Sequence, residues 1–108
     1  MNIEVDEFLK SKDRNAWITD GIVDVYVRKS FRTIEGNNIH TFDIANIKIE
    51  KENQGKGYFK DFILYLESLE LNVYVESVYN EDLKSMLIKN GYKKVCLAEP
   101  SYFKLTRD

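Results

Sequence analysis

The sequence predicts a mixed α/β (α+β) fold, with a mostly antiparallel sheet that contains one central parallel strand pair. Two observations carry this prediction. Several short segments alternate β-branched or aromatic residues with polar ones, and an amphipathic segment over residues 58–70 separates two of them. A strand, a helix and a second strand of this length form a right-handed crossover, so the two strands are parallel. We expect helices on both faces of the sheet.

The composition is that of one domain spanning residues 1–108. Hydrophobic residues make up 44% of the chain and aromatic residues 13%, which is enough for a packed core. The net charge of −2 provides no basic excess for nucleic-acid binding, so no nucleic-acid partner is expected. Because no signal peptide and no run of about 20 apolar residues is present, we expect a cytoplasmic protein without membrane contact.

The N-terminal third predicts a short helix followed by antiparallel strands. Val5, Phe8 and Leu9 have helical spacing, while valines alternate with polar residues from residue 22 onward. The predicted elements are a helix at 4–12, a strand at 16–19, a two-residue hairpin turn at Asp20-Gly21, a strand at 22–28 that continues bent through Thr33, and a turn at 35–38.

The next strand carries a phase slip. Phe42 and Ile44 share one face by alternation, whereas Ile47 and Ile49 fall on the opposite phase. One extra residue near Ala45-Asn46, a β-bulge, returns both pairs to the same face. The alternative is a strand that is buried on both faces, in which phase has no meaning.

The C-terminal half alternates helices and strands. The crossover helix has a buried stripe at helical spacing, and a second helix begins at Asn80 as N-cap and ends at Gly91. Cys96 lies in an apolar run and is expected to be a buried thiol without a disulfide partner. The predicted strands are 71–78, 92–97 and 102–106, with Pro100 between the last two.

A glycine turn, Gln54-Gly55-Lys56-Gly57, joins the bulged strand to the crossover helix. The backbone N–H groups of such a turn converge at the positive end of the helix dipole and form a phosphate cradle. A G-x-G pair alone is a weak signal, because most such pairs are ordinary turns.

In combination, the bulged strand, the turn, the parallel strand and the helix from Asn80 to Gly91-Tyr92 resemble the GNAT N-acetyltransferase superfamily. The resemblance covers residues 16–106, and its core is residues 39–92. It implies that acetyl-coenzyme A is the co-substrate and that its acetyl group passes directly to a primary amine. The cofactor-binding residues that it implies are Ile47, Ile49, Gln54, Gly55, Lys56, Gly57, Tyr58, Phe59 and Asn80.

The resemblance also supplies candidates for the general base. Asp43 lies four residues before Ile47, where some family members carry a base that acts through water, and Glu76 is a weaker candidate. Asp43 has the alternative interpretation of a solvated aspartate or a partner for Arg28 or Lys29. His40 is expected to have a surface or cross-strand role, and no metal site is predicted.

Two residues depart from the family pattern. Phe59 replaces the last small residue of the turn, and its place in the helical stripe predicts that it points into the core. Leu87 occupies the position of the tyrosine that protonates the leaving thiolate in many family members. Two hypotheses follow. One is an N-acetyltransferase acting on the amine of a small molecule or a protein (lysine or N-terminus), and the other is a catalytically impaired cofactor-binding or protein-interaction module. The sequence is compatible with a monomer or a homodimer.

Overall fold

The computed structural model describes residues 3–95 and 99–106, so the expectation for Cys96 lies outside the described residues. This part of the chain contains three helices and six strands, with a single 3₁₀ turn at Lys51–Asn53. The elements are α1 (Ile3–Lys10), β1 (Asn15–Thr19), β2 (Val23–Ile34), β3 (Asn37–Ile49), α2 (Tyr58–Ser68), β4 (Val73–Val75), α3 (Glu81–Lys89), β5 (Lys93–Val95) and β6 (Ser101–Lys104).

The six strands form one sheet in the order β1-β2-β3-β4-β6-β5. Strands β3 and β4 are parallel, and every other neighbouring pair is antiparallel. Helix α2 forms the crossover between the parallel strands. Two strands that run in the same direction need such a long connection, whereas antiparallel strands can be joined by a short hairpin. The predicted mixed sheet with a central parallel pair is therefore confirmed.

The predicted bulge is present at Ala45. Tyr26 of β2 pairs with Asn46, and the next residue, Val27, pairs with Ile44, so Ala45 has no partner in this register. Beyond the extra residue the alternation of β3 is reset. Ile47 and Ile49 consequently pack on the same core as Phe42 and Ile44.

The main core lies on the helix-bearing face of the sheet. Helix α2 buries its predicted stripe there, and the valines of β2 and β4 form the opposite wall. We expected helices on both faces. Among the described residues, however, the buried side chains of all three helices belong to this one core: Val5 and Phe8 of α1, Phe59, Phe62, Ile63 and Leu66 of α2, and Leu87 of α3.

A second, smaller core covers part of the opposite face. The long hairpin of β2 and β3 bends across the sheet, so that Ile34 packs on Tyr74 and Phe103. We call residues 31–40 the hairpin arm. Its tip is the two-residue turn Glu35-Gly36, in which both residues have positive φ (52° and 80°). Such a turn matches the right-handed twist of the strands.

Several element limits differ from the sequence-based expectation. Asn37 and Asn38 belong to β3, so the turn at the tip of the hairpin arm is shorter than predicted. The Asp20-Gly21 turn is longer than two residues, because the Asp20 carboxylate accepts from the N–H groups of Ile22 (2.9 Å) and Val23 (2.8 Å). The Asp20 N–H also donates to the Val23 carbonyl at 3.3 Å, so an Asx-type turn around Gly21 and Ile22 closes the hairpin.

Helix α3 begins and ends as predicted. The Asn80 side chain accepts from the N–H of Leu83 at 2.9 Å and caps the first turn. Gly91 has φ 91°, and the Tyr92 N–H donates to the Leu87 carbonyl at 3.0 Å, which closes the last turn. Among residues 3–95 and 99–106, no helix is both long and apolar enough to cross a membrane.

The packing of α2 gives a first prediction. Ile63→Ala should lower the free energy of unfolding by about 2–5 kcal/mol, because Ile63 is completely buried between α2 and the sheet. Leu64→Ala is the matched control, since the neighbouring Leu64 is 41% exposed and should lose much less. Chemical denaturation monitored by circular dichroism measures both values. Equal losses would contradict the assigned orientation of α2.

Candidate active site

The candidate site forms where β3 and β4 separate. Phe42 N–H donates to the Asn72 carbonyl (2.8 Å), and Glu76 N–H donates to the Ile44 carbonyl (2.9 Å). The second of these bonds is the last between the two segments among the described residues. Beyond it the chain turns away at Ser77, which has φ 53°, while β3 continues to Ile49. A gap opens beside the end of β3.

A cavity of about 350 Å³ occupies this gap. It is bounded by the end of β3, the glycine turn, the start of α2 and the first turns of α3. Of the nine predicted cofactor residues, eight line the cavity, and Lys56 does not. The eight are Ile47, Ile49, Gln54, Gly55, Gly57, Tyr58, Phe59 and Asn80.

The glycine turn presents its backbone to the cavity. Gly55 and Gly57 have φ of 75° and 85°, and a Cβ built on either residue meets no atom within 4 Å. Gly57 is the N-cap of α2, and no side chain caps this end. The first N–H of the helix ladder is that of Asp61, which donates to Gly57 at 2.9 Å. The three N–H groups of residues 58–60 therefore precede the ladder, and they lie where the dipole favours an anion.

The bulge determines which backbone groups border the gap. Before the bulge, Phe42 and Ile44 direct their polar backbone groups toward β4. Because the extra residue resets the alternation, Ile47 and Ile49 direct theirs toward the same side, where β4 is no longer present. The Gln54 amide already uses one of these groups, since its Nε2 donates to the Ile49 carbonyl at 3.0 Å.

The aromatic residue at the start of α2 does not obstruct the turn. The Phe59 side chain is buried in the main core, and its ring lies 6.3 Å from that of Phe62. The expectation that Phe59 points into the core is confirmed. This position contributes its backbone to the turn and its side chain to the core.

Asp43 is fully buried on the face opposite the helices, so it is not a solvated aspartate. Its Oδ2 accepts from Arg32 Nη2 (2.6 Å) and Nε (3.0 Å), and its Oδ1 accepts from Thr41 Oγ1 (2.6 Å). The partner is thus Arg32, and the expected Arg28 or Lys29 partners are wrong. In the strand register Asp43 lies directly opposite Arg28, but the bend of the hairpin arm brings Arg32 onto the carboxylate.

Arg32 connects the two carboxylates. Burial disfavours its positive charge, but the hydrogen bonds and negative charge of Asp43, with smaller contributions from Tyr74 and Glu76, raise the pKa of the guanidinium above its usual value. Its guanidinium also lies 3.9 Å from the centre of the Tyr74 ring. Nothing in the sequence singles out Arg32, because its contact with Asp43 depends on the bend of the strand.

Glu76 lies where the strands separate, on the same face as Asp43. Its Oε2 is 3.2 Å from Arg28 Nη1 and 3.5 Å from Arg32 Nη2. Within the described part of the chain no residue binds Oε1, and the side chain is 22% exposed. Of the two candidate bases, only Glu76 therefore has a carboxylate oxygen open to a ligand.

Neither the residue at the usual tyrosine position, Leu87, nor the nearby Tyr92 offers a free hydroxyl. Leu87 is completely buried in the main core. The Tyr92 hydroxyl donates to Glu67 Oε2 at 3.0 Å, and burial, followed by the charge and hydrogen bond of Glu67, raises the pKa of Tyr92 far above its usual value. The Tyr79 side chain is exposed. His40 stacks on Phe31 across the hairpin arm with ring centres 4.6 Å apart, as expected for a cross-strand role.

No group of His, Cys, Asp and Glu side chains in residues 3–95 and 99–106 is arranged to hold a metal ion.

The fold recurs in solved structures of the toxins AtaT and KacT. The AtaT toxin, in a tyrosine-to-phenylalanine mutant bound to the C-terminus of the antitoxin AtaR and acetyl-CoA, superposes with a TM-score of 0.61 at 16% identity over 79% of this chain. This chain covers 59% of the AtaT chain, so it is considerably shorter. The KacTA–DNA complex superposes with a TM-score of 0.63 at 15% identity, covering 96% of this chain and 75% of that one.

At these identities the likeness shows the fold, and the predicted GNAT-like fold class is confirmed. The sequence itself matches no family model and no curated protein.

The Tyr92 environment gives a second prediction. Above pH 10 an unfolded tyrosine ionises, whereas Tyr92 in the folded protein retains its proton. The folded state should therefore lose about 1.4 kcal/mol of stability per pH unit through this group as the pH rises above 10. Denaturation of wild type and Tyr92→Phe at pH 8 and pH 11 tests this, since the variant lacks the loss. The prediction would be contradicted if the difference in unfolding free energy between wild type and Tyr92→Phe were the same at pH 8 and at pH 11.

Proposed function

We propose that this protein binds acetyl-coenzyme A in the cavity beside β3 and transfers its acetyl group directly to a primary amine. The observation that carries the proposal is the coincidence of three features in one cavity: a polar strand edge, a glycine turn and an uncapped helix N-terminus. The N–H groups of the turn and the helix dipole favour binding of a pyrophosphate. The strand edge can form hydrogen bonds with the amide groups of an extended chain. The acetyl-CoA that the AtaT structure contains supports the same class of ligand.

Each part of the cofactor has a matching part of the cavity. The N–H groups around Gly55 and Gly57 would hold the pyrophosphate, and Lys56, on the rim of the turn, adds positive charge. The backbone of Ile47 and Ile49 would pair with the amides of the pantetheine arm, with Asn80 on the opposite wall. The bound cofactor supplies an acetyl group activated as a thioester.

The amine must lose a proton during transfer, and Glu76 is better placed than Asp43 to take it. Both carboxylate oxygens of Asp43 accept hydrogen bonds and the side chain is buried, so its role is to hold the Arg32 guanidinium in place. Glu76 lies at the last bond between β3 and β4 and keeps Oε1 open. A general base must reach the proton that it takes directly or through one water, and this requires a free carboxylate oxygen. We therefore assign the role of general base to Glu76, with Asp43 as the weaker candidate.

Transfer joins the amine nitrogen to the acetyl carbon, releases the thiol and moves one proton from nitrogen to sulfur. Leu87 is buried and the Tyr92 hydroxyl binds Glu67, so neither of these two residues replaces the missing tyrosine. We assign protonation of the leaving sulfur to water. The same observation favours the second candidate function, in which the protein retains cofactor binding but acts as a binding module.

The third prediction tests the cavity. Gly57→Glu should abolish acetyl-CoA binding measured by calorimetry, because its side chain would fill the turn with negative charge. Gly36→Glu is the matched control. Gly36 has a similar φ (80° against 85°), meets the same open space and lies in the hairpin arm, so it imposes the same backbone strain elsewhere.

Calorimetry also separates the candidate functions. Binding of acetyl-CoA to wild type with thiol release in the presence of amines supports the enzyme, and binding without thiol release supports the binding module. Absence of binding at near-millimolar acetyl-CoA would exclude both.

The fourth prediction tests the base. Glu76→Gln should lower kcat by about 10²–10⁴ with little effect on acetyl-CoA affinity, as expected for loss of a general base. Asp43→Asn should act mainly on stability, because it weakens the bond that holds Arg32. Thiol-release kinetics and denaturation of both variants give the comparison. A larger loss of kcat for Asp43→Asn, in a folded protein, would restore Asp43 as the base.

A further inference from the structure

A second cavity, on the face opposite the helices, is not used by the proposed cofactor site. It has a volume of about 480 Å³ and lies between the hairpin arm and strands β4, β6 and β5. We call it the arm pocket. Its floor consists of the second core, where Ile34, Tyr74 and Phe103 are almost completely buried and Val95 packs against them. A recess of this size with an apolar and aromatic floor is typical of a small-molecule site.

The arm pocket adjoins the proposed base through one residue. Arg32 lines the pocket, and its Nη2 lies 2.6 Å from Asp43 Oδ2 and 3.5 Å from Glu76 Oε2. Tyr74 of β4 forms part of the pocket floor and lies two residues before Glu76, which follows the end of this strand. A molecule whose amine is at Glu76 can therefore place its remaining atoms in the arm pocket.

The charges around the arm pocket restrict those remaining atoms. Arg32 is paired with Asp43 and Glu76. Glu35, the carboxylate that lines the pocket, is paired with Lys93 at 3.7 Å. Lys94 lines the pocket, and among the described residues it has no ion-pair partner. Its positive charge disfavours a second ammonium group in the pocket. An apolar group, by contrast, would gain from leaving water for this floor.

We propose that the arm pocket binds the apolar group of the amine acceptor. The acceptor class is a primary monoamine with a bulky hydrophobic substituent, and the charge of Lys94 disfavours polyamines. This inference rests on the proposed function, because it assigns the pocket to the molecule that receives the acetyl group at Glu76.

The test is an NMR titration of the full-length protein, labelled at isoleucine and valine methyl groups, with three probes: 2-phenylethylamine, ethylamine and 1,4-diaminobutane. The methyl signals of Ile34 and Val95 should shift saturably with 2-phenylethylamine. The other two amines should bind at least about tenfold more weakly, since they lack the buried ring or carry a second charge. Equal affinity for the three probes, or shifts that avoid Ile34 and Val95, would overturn the proposal.

A pair of variants locates the binding. Val95→Phe should raise the Kd of 2-phenylethylamine at least about tenfold, because the larger ring takes the space of the ligand. Ile88→Phe is the control. Ile88 is 58% exposed on α3, outside both cavities, so its substitution should leave this Kd unchanged. An unchanged Kd in Val95→Phe, with the variant folded by circular dichroism, would overturn the proposal.

The titration separates this inference from the proposed function, because it needs neither acetyl-CoA nor turnover. Selective binding of 2-phenylethylamine in a protein that does not bind acetyl-CoA would support the arm pocket and remove the acetyltransferase. Turnover that is equal for all three amines would support the acetyltransferase and remove the arm pocket.

Discussion

The separation of β3 from β4 is the constraint on which the rest of the site depends. Up to Ile44 the two strands satisfy each other's backbone groups, and beyond Glu76 they do not. Unpaired backbone groups at a buried position cost free energy unless a ligand or water binds them. β4 ends at Val75 and the chain turns away at Ser77, which has positive φ. The bulge at Ala45 sets which backbone groups of β3 face the resulting gap.

Much of this arrangement could be predicted from the sequence, since the signals are local. The phase slip of Phe42 and Ile44 against Ile47 and Ile49 located the bulge, and the stripe from Phe59 to Leu66 located α2. The glycine turn and the Asn80 cap placed eight of nine cofactor candidates around one cavity. Local periodicity and turn chemistry suffice for such features, because they depend on neighbours within a few residues.

The prediction failed where three-dimensional curvature decides a contact. The sequence predicts a strand that bends on its way to Thr33, but no local pattern gives the extent of the bend, so Arg28 was expected where Arg32 is the partner of Asp43. The same bend forms the second core and the arm pocket. Strand lengths were overestimated for β4, because residues 71–78 have strand propensity throughout while only Val73–Val75 find partners. The sequence also could not predict that all three helices pack on one face of the sheet, because an amphipathic stripe does not specify which side of a sheet it covers.

The two cores have a consequence for how specificity in this protein could change. The main core adjoins α2, the bulge and the cavity beside β3, while the second core joins the hairpin arm to β4, β6 and β5. Substitutions at the contact between Ile34 and Phe103 alter the arm pocket without touching the residues around Gly57. Under the proposed function, acceptor selection and cofactor binding are therefore separable traits that can diverge independently. A small domain with such a division can acquire new acceptors while its cofactor chemistry stays constant.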